Sequence, residues 1–458
     1  MVNEKVPPDG GWRAYTVVFS SFLCNGLIFG FVNTYSVLYV RIRDTFIQSG
    51  VENASSKASL IGSLTIGTTF LLSMVSGMLS DRIGIRLTTF LGGFIASSSM
   101  LLSSFFTSNV NILFFTYGIL FGIGASLAYI PSLTIIGHYF KKYIGIANGF
   151  VTVGSSIFSV AMPYILDYLL INVGLSQCLR YQAALLSLLM LCSLVFKQVY
   201  HSPMKKKTNE NTEVSYFANF VNLSIWFDKR YILWVTVVPL ALTGYFVPYV
   251  HIVKFMEKQF PKMDYKLPVT CIAITSGFGR LIFGYISDRN KVNDIFLQQL
   301  SLFVIGTASI LIPLTTNYIL FLVLNLILGL FDGCFVTVIG PIAFKLCGPK
   351  GASQAIGFLL GFSSFPLIIG PPIAGWLYDQ NQSYTLPFVL AGIPPIIGAI
   401  LLTKIHFMSC NQTNLELVSD KTFLEQDRLA DVVQSVPSGS ESYATYLRVV
   451  KQYLKKME

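Results

Sequence analysis

Charge is scarce in this chain. Asp, Glu, Lys and Arg supply 12% of its 458 residues, about half the share a soluble domain carries, so an ordinary water-soluble globule is excluded. Cysteine is thin as well: seven residues lie scattered, mostly inside apolar runs, with no CxxC pair and no metal-ligand spacing. They read as small packing residues, and neither disulfides, redox chemistry, a cofactor nor a metal is expected. With no metal-spaced His/Cys set and no nucleophile elbow, nothing points to an enzyme. The opening "MVNEKVPPDGGW" lacks a basic n-region ahead of a short apolar core, so it is not a signal peptide, and the first apolar run is expected in the mature protein. Abundance lies elsewhere. Hydrophobic residues make up 53%, mean hydropathy is +0.63, and runs of about 20 apolar residues, enough to cross a hydrocarbon core of about 30 Å, recur throughout.

These runs predict an all-α membrane protein with twelve transmembrane helices, near 12–40, 58–80, 86–107, 111–139, 144–169, 181–200, 230–256, 267–287, 295–315, 317–346, 352–378 and 385–406. They are called spans 1 to 12. An even number puts both termini on one side, and the positive-inside rule chooses it. With the amino terminus in the cytosol, inner segments hold 16 Lys and Arg and outer loops hold 7. The expected organisation is a cytosolic N-terminus (1–11), a six-helix bundle (12–200), a cytosolic central loop (201–229), a second bundle (230–406) and a cytosolic tail (407–458). The +10 net charge follows from topology, the lipid bilayer is the surrounding partner, and no nucleic acid is expected.

The two halves repeat. "GMLSDR" at 77–82 returns as "GYISDR" at 284–289, Ala147-x-Gly149 opening span 5 returns as Ala355-x-Gly357 opening span 11, and Pro131 has a counterpart in Pro341. Equivalent features fall on the same side in the same direction, so the repeats are parallel, as in rocker-type carriers with a site between halves. Asp81 and Arg82, with Asp288 and Arg289, are candidate latch residues that pair with neighbouring helix ends in one state and release in the other.

Three stretches carry a family resemblance. Gly77-x-x-Ser80-Asp81-Arg82-x-Gly84-x-Arg86 resembles the loop signature of the major facilitator superfamily. "DGGW" at 9–12 and "YFKKYIGIANGFVTVGSS" at 139–156 resemble the two hallmark motifs of its monocarboxylate transporter family, although Arg13 and Ala14 depart from the first. "GPPIAGWLYD" (370–379) and "GIPPIIGAI" (392–400) extend the likeness to residues 9–406. The resemblance implies a secondary carrier for a small carboxylate-bearing solute. Proton-coupled lactate and pyruvate carriers of the family use a lysine in span 1 and an Asp/Arg pair in span 8; here these positions read Asn33, Ser276 and Arg280. "FVPYVHIVKF" (246–255), "ITSGFGRLIFGYISD" (274–288), "LGLFDGCF" (328–335) and "GPIAFKLCGPKGASQAIGFLLG" (340–361) look most like the aromatic amino acid and thyroid hormone carriers. Val32 stands where the latter have a histidine, which favours aromatic amino acids over iodothyronines.

Energetics point the same way. One charge moved across 100 mV is worth about 2.3 kcal/mol, so an anion needs a co-transported proton to enter a cell that is negative inside. A zwitterion does not. Facilitated transport of aromatic amino acids without proton coupling is therefore the expectation, across what the likeness implies is the plasma membrane. A proton-linked monocarboxylate symporter and a non-transporting receptor or scaffold on a carrier fold stay open, as does a single-span accessory protein.

Arg280 lies eight residues before Asp288 and so about 12 Å deep; Asp332 lies thirteen before Lys345, about 20 Å deep. Each charge at a helix centre costs about 2.5–3.5 kcal/mol, so neither should face lipid. Either they pair permanently across spans 8 and 10, or Arg280 offers its fork to a substrate carboxylate while Asp332 holds it or faces the substrate amine. Further candidate substrate contacts are Asn33, His251 near the outer mouth of span 7 beside Tyr249, Lys254 and Glu257, and the aromatic residues Tyr35, Phe246 and Tyr249. Asn53-Ala-Ser55 and Asn381-Gln-Ser383 match glycosylation acceptors in short loops, and glycosylation is not expected. "YATYLRVVKQYLKKME" at the end places Tyr446, Val450, Tyr453, Leu454 and Met457 opposite Arg448, Lys451 and Lys455, the pattern either of a helix on an anionic leaflet or of a solvated one.

Overall fold

The computed structural model describes residues 9–52, 54–198, 222–263, 266–289, 292–381 and 383–405, and every regular element among them is a helix. Eleven helices are long and apolar enough to cross a membrane, and the pair Leu60–Leu71 and Ser73–Ile83, bent by 43°, makes a twelfth crossing. In order these are Trp12–Asn33, the bent pair as span 2, Ile85–Phe105, Val110–Tyr139, Ile144–Asn172, Gly174–Val195, Lys229–Ile252, Leu267–Ser287, Asp294–Leu314, Tyr318–Pro349, Gly351–Tyr378 and Thr385–Ile405. The chain forms two units, Met1–Thr403 and Lys404–Glu458. The amphipathic stretch expected at 443–458, the basic run 205–207 and Asn53 lie outside the described residues.

Several spans are broken where the sequence reads as continuous. Span 1 stops at Asn33 and resumes as Tyr35–Gln48, with Thr34 Oγ1 bonded back to the Gly30 carbonyl at 2.5 Å. Such back-bonding by Ser and Thr competes with the helix ladder and bends it. Span 2 breaks at Leu72 in a stretch where Thr65, Thr68 and Thr69 bond back to carbonyls of their own helix and Ser73 bonds across the break to the Phe70 carbonyl. Thr65 and Thr68 also reach the carbonyls of Tyr117 and Gly118, at 3.1 and 3.0 Å. Both carbonyls lie in a π-helical turn, Phe114–Leu120, of span 4, so the partner span supplies donors where the α ladder is disturbed. Span 7 breaks at Phe246, just ahead of Pro248, and continues as Val247–Gln259. Spans 10 and 11 join through a sharp corner at Gly348 (φ 67°), a left-handed conformation suited to glycine.

Two seams join the parallel repeats, and both depend on glycine. Span 5 meets span 8 so closely that a Cβ on Gly149 would stand 2.3 Å from the Arg280 carbonyl oxygen, and one on Gly284 2.7 Å from that of Gly145. Span 2 meets span 11 in the same way: a Cβ on Gly357 would lie 2.5 Å from the Ser73 carbonyl, and one on Gly77 2.5 Å from that of Ser353. The second seam extends from there to Gly67, against Ile368. Buried serines and threonines line the packed faces, as expected where small residues let helices approach in a membrane.

Candidate functional site

The end of each seam is closed by a carboxylate. Asp288, just past span 8, accepts from the backbone N–H of Gly145 at 2.6 Å and of Ile146 at 2.8 Å. These are free donors at the start of span 5, where the helix dipole also favours an anion. Asp81 lies against Ser353 and Gln354 at the start of span 11, the equivalent place in the other repeat. Arg289 turns back to its own helix, donating to the Tyr285 hydroxyl with its guanidinium 4.8 Å from that ring. Both aspartates thus meet the start of a helix in the other repeat. Asp9 of the "DGGW" segment accepts from the N–H of Lys141 and Lys142 at 2.6 and 2.8 Å, joining the two hallmark stretches in space.

Deeper along the first seam lies Arg280, 9% exposed. Its side chain leaves span 8 and crosses to span 5, where Nη1 donates to the Thr152 carbonyl and to Ser155 Oγ. The Tyr129 ring of span 4 is near, and Nε is buried without a hydrogen-bond partner. The guanidinium therefore faces the junction between repeats and not lipid, unlike the exposed Phe278 and Ile282 on the same helix. Asp332, also 9% exposed, accepts from the Tyr245 hydroxyl and, at 2.5 Å, from Ser276 Oγ. The Tyr249 hydroxyl is buried beside it and interacts with Asp332 and with the Tyr245 hydroxyl. Tyr245, Tyr249 and Phe246 form a stack, with centroids 5.6 Å apart for the first pair and 5.7 Å for the second.

Arg280 and Asp332 make no direct ion pair, in contrast to Arg43–Asp44, Arg230–Asp228 and Lys345–Asp294. The expectation that Asp332 holds Arg280 is corrected accordingly: neutral donors and acceptors on separate helices hold each charge. Asn33 donates to Ser159 at 2.9 Å, one helical turn along span 5 from Ser155, so it extends the polar face that receives Arg280. Tyr35 belongs elsewhere. Its hydroxyl donates to the Ala58 carbonyl at 2.6 Å and its ring fills the slot left by Gly62, so it packs span 1 on span 2. His251 stands 5.8 Å from the Tyr384 ring, among residues of the second repeat; the side chains of Lys254 and Glu257 lie outside the described set. Tyr245, Thr152 and Ser155 were not singled out as contacts. The available signal was spacing: Tyr245 and Ser276 each lie four residues before a chosen residue, on the same helical face.

A family model described as Major Facilitator Superfamily matches residues 15–316 and 252–408. The chain is 43% identical over 415 residues to Monocarboxylate transporter 10 of Rattus norvegicus, covering 88% of this chain and 80% of the relative. Identity to the Homo sapiens protein of the same name is 40% over 432 residues, with 91% and 83% covered. Monocarboxylate transporter 13 of Rattus norvegicus is 28% identical over 413 residues, with 90% and 93% covered. Among solved structures, the human organic anion transporter MFSD10 (TETRAN) matches with a TM-score of 0.68 at 15% identity, covering 87% of this chain and 100% of that one. That likeness speaks to the fold.

Proposed function

This chain belongs to the monocarboxylate transporter family of the major facilitator superfamily and is a multi-pass membrane carrier, and from that premise we propose that it moves aromatic amino acids across the plasma membrane by facilitated alternating access without proton coupling. Both termini are cytosolic in this reading, so the Asp81 and Asp288 caps close the cytosolic end. The observation that carries the substrate class is the separation of Arg280 from Asp332. A buried cation and a buried anion, each held by neutral groups, suit a solute that brings one carboxylate and one ammonium.

The substrate carboxylate takes the place of the Thr152 carbonyl and Ser155 Oγ on the guanidinium, whose planar fork binds carboxylates in bidentate fashion. That exchange also loosens a contact between the repeats, coupling occupancy to movement. Asp332, steadied by Tyr245 and Ser276, takes the ammonium. The Tyr245–Tyr249–Phe246 stack lies next to it and offers aromatic faces to the substrate ring. Asn33 adds a polar contact on the span 5 side, and His251 guards the outer approach. Iodothyronines share the amino acid head group and rank second, because Val32 stands where the thyroid hormone carriers have a histidine.

Uptake of radiolabelled tryptophan, tyrosine, lactate and triiodothyronine, each at two pH values, tests this. Tryptophan and tyrosine should enter at a rate indifferent to the proton gradient. Lactate entry that acidifies the cytosol would overturn the reading in favour of a proton-linked symporter.

A further inference from the structure

We propose that the turn between spans 2 and 3, together with the end of span 6, forms a binding site for one anionic phospholipid. A cavity of about 360 Å³ opens there, within the size range of small-ligand pockets, and its lining includes Arg86 and Lys197 but no acidic residue. Both basic residues are exposed. The remaining lining is graded in polarity. Leu87 and Phe90 follow Arg86 along span 3, and Leu194 lies one turn back from Lys197 along span 6; they are 47%, 39% and 51% exposed. The charged mouth thus sits at the helix ends and an apolar wall descends from it, which is the order of groups along a phospholipid.

The backbone adds to the charge. Span 3 begins at Ile85 after Gly84, a left-handed glycine (φ 92°) with no side chain to cap the helix. Its first N–H groups and dipole favour a phosphate at this end. A soluble anion would use the mouth and leave the wall uncovered, whereas an acyl chain covers it. Neutral headgroups lack the net charge that Arg86 and Lys197 select. The proposal rests on the topology above only in naming the leaflet, the cytosolic one.

The test is lipid retention on the purified full chain, read by native mass spectrometry with added phosphatidylserine or phosphatidylcholine. Phosphatidylserine should be retained in excess, and Arg86→Gln or Lys197→Gln should each reduce that excess about five-fold, the effect of one basic residue near an anionic surface. Lys142→Gln, whose ammonium lies over the Tyr143 ring and not in the cavity, should leave it unchanged. Equal retention of both lipids, an equal loss in Lys142→Gln, or displacement of phosphatidylserine by inorganic phosphate would each overturn the proposal. Retention is measured without uptake, so a wrong substrate assignment would leave this result standing.

Discussion

The two seams between the repeats are copies that have diverged at one level. At the capped end they match: Asp81 corresponds to Asp288 and Gly77 to Gly284, while Gly357 corresponds to Gly149, and in each seam glycine leaves room for a facing carbonyl that a Cβ would meet at closer than ordinary van der Waals distance. One turn or two deeper they part. The residue whose carbonyl meets Gly149 is Arg280; the residue whose carbonyl meets Gly357 is Ser73. Arg280 reaches across to Thr152 and Ser155, while Ser73 only bonds back to Phe70; Ser155 and its counterpart Ser363 both bond back within their own helices. The duplicated part is therefore the glycine-packed, carboxylate-capped seam, and the arginine stands on only one copy. Close packing tolerates symmetry, whereas the proposed solute, with a single carboxylate, needs only one guanidinium.

The largest expected effect breaks the comparison at that level. Arg280→Ala should reduce aromatic amino acid uptake about a hundred-fold at normal surface abundance, since removing one partner of a buried, hydrogen-bonded charge pair costs about 2–5 kcal/mol. Ser73→Ala, at the equivalent position, should change uptake less than about two-fold, because only a local helix bond is lost. Uptake and surface biotinylation measured together decide it. Comparable losses in both variants would mean that the arginine is a packing element like its counterpart.

A smaller effect tests the shared part. Gly149→Ala and Gly357→Ala each drive a methyl into backbone, which cannot swing aside, and overpacking of this kind costs about 1–3 kcal/mol. Both should lower the thermal stability of the purified carrier. Gly149→Ala should also raise the substrate concentration needed for half-maximal uptake, because displacing span 8 moves Arg280. A normal half-saturation in Gly149→Ala would separate the seam from the site.

A pH response sharpens the comparison further. Burial raises the Asp288 carboxyl above its ordinary range, and the N–H groups of Ile146 and Gly145 bring it only part of the way back; nearby, Asp294 raises it and Lys345 lowers it. A carboxyl that holds its proton more tightly when docked than when released favours docking at low pH. That contribution is fully present below the ordinary carboxylate pKa and is lost as pH rises through the docked value. Closure of the span 5–8 seam, followed by accessibility of an introduced cysteine to a thiol reagent, should weaken as pH rises through the acid range and level off above it. Asp288→Asn should remove the step.

The twelve spans and their repeat were legible because both are set by long runs of apolar residues and by glycine and aspartate at matching positions. The presence of two buried charges was legible for the same reason, since Arg280 and Asp332 interrupt those runs. Their partners were not. Opposite charges whose difference in depth an arginine side chain can bridge invite a direct pairing, yet neutral hydroxyls and a carbonyl meet each charge separately, and sequence does not say which helix faces which. Breaks divided along similar lines. The break in span 7 lies beside Pro248, a signal that the apolar run from 230 to 256 masks, whereas those at Thr34 and Leu72 arise where hydroxyls bond back to the ladder, a choice set by tertiary surroundings. Tyr35 misled because an aromatic residue near a site can equally fill the slot beside a glycine, here Gly62.

The smallest expected effect concerns how each seam is anchored behind its cap. Before span 5, Asp9 accepts from Lys141 and Lys142 in the turn that leads to Gly145. Before span 11 the corresponding support combines an apolar contact with one hydrogen bond: Ile225 packs on Gly351, and Gln354 accepts from the Asn222 N–H at 2.8 Å. The Asp9 anchor is the more exposed of the two, so its contribution should be small, about 1 kcal/mol for hydrogen bonds partly replaced by water. Asp9→Ala should lower the unfolding temperature slightly and Asp9→Asn, which keeps an acceptor oxygen, should recover most of the loss. Substrate half-saturation should stay unchanged in both, because Asp9 steadies the start of span 5 while Thr152 and Ser155 lie two to three turns further along. A shifted half-saturation in Asp9→Ala would mean that the anchor sets the position of the Arg280 partners, and that the two seams differ in mechanics as well as in charge.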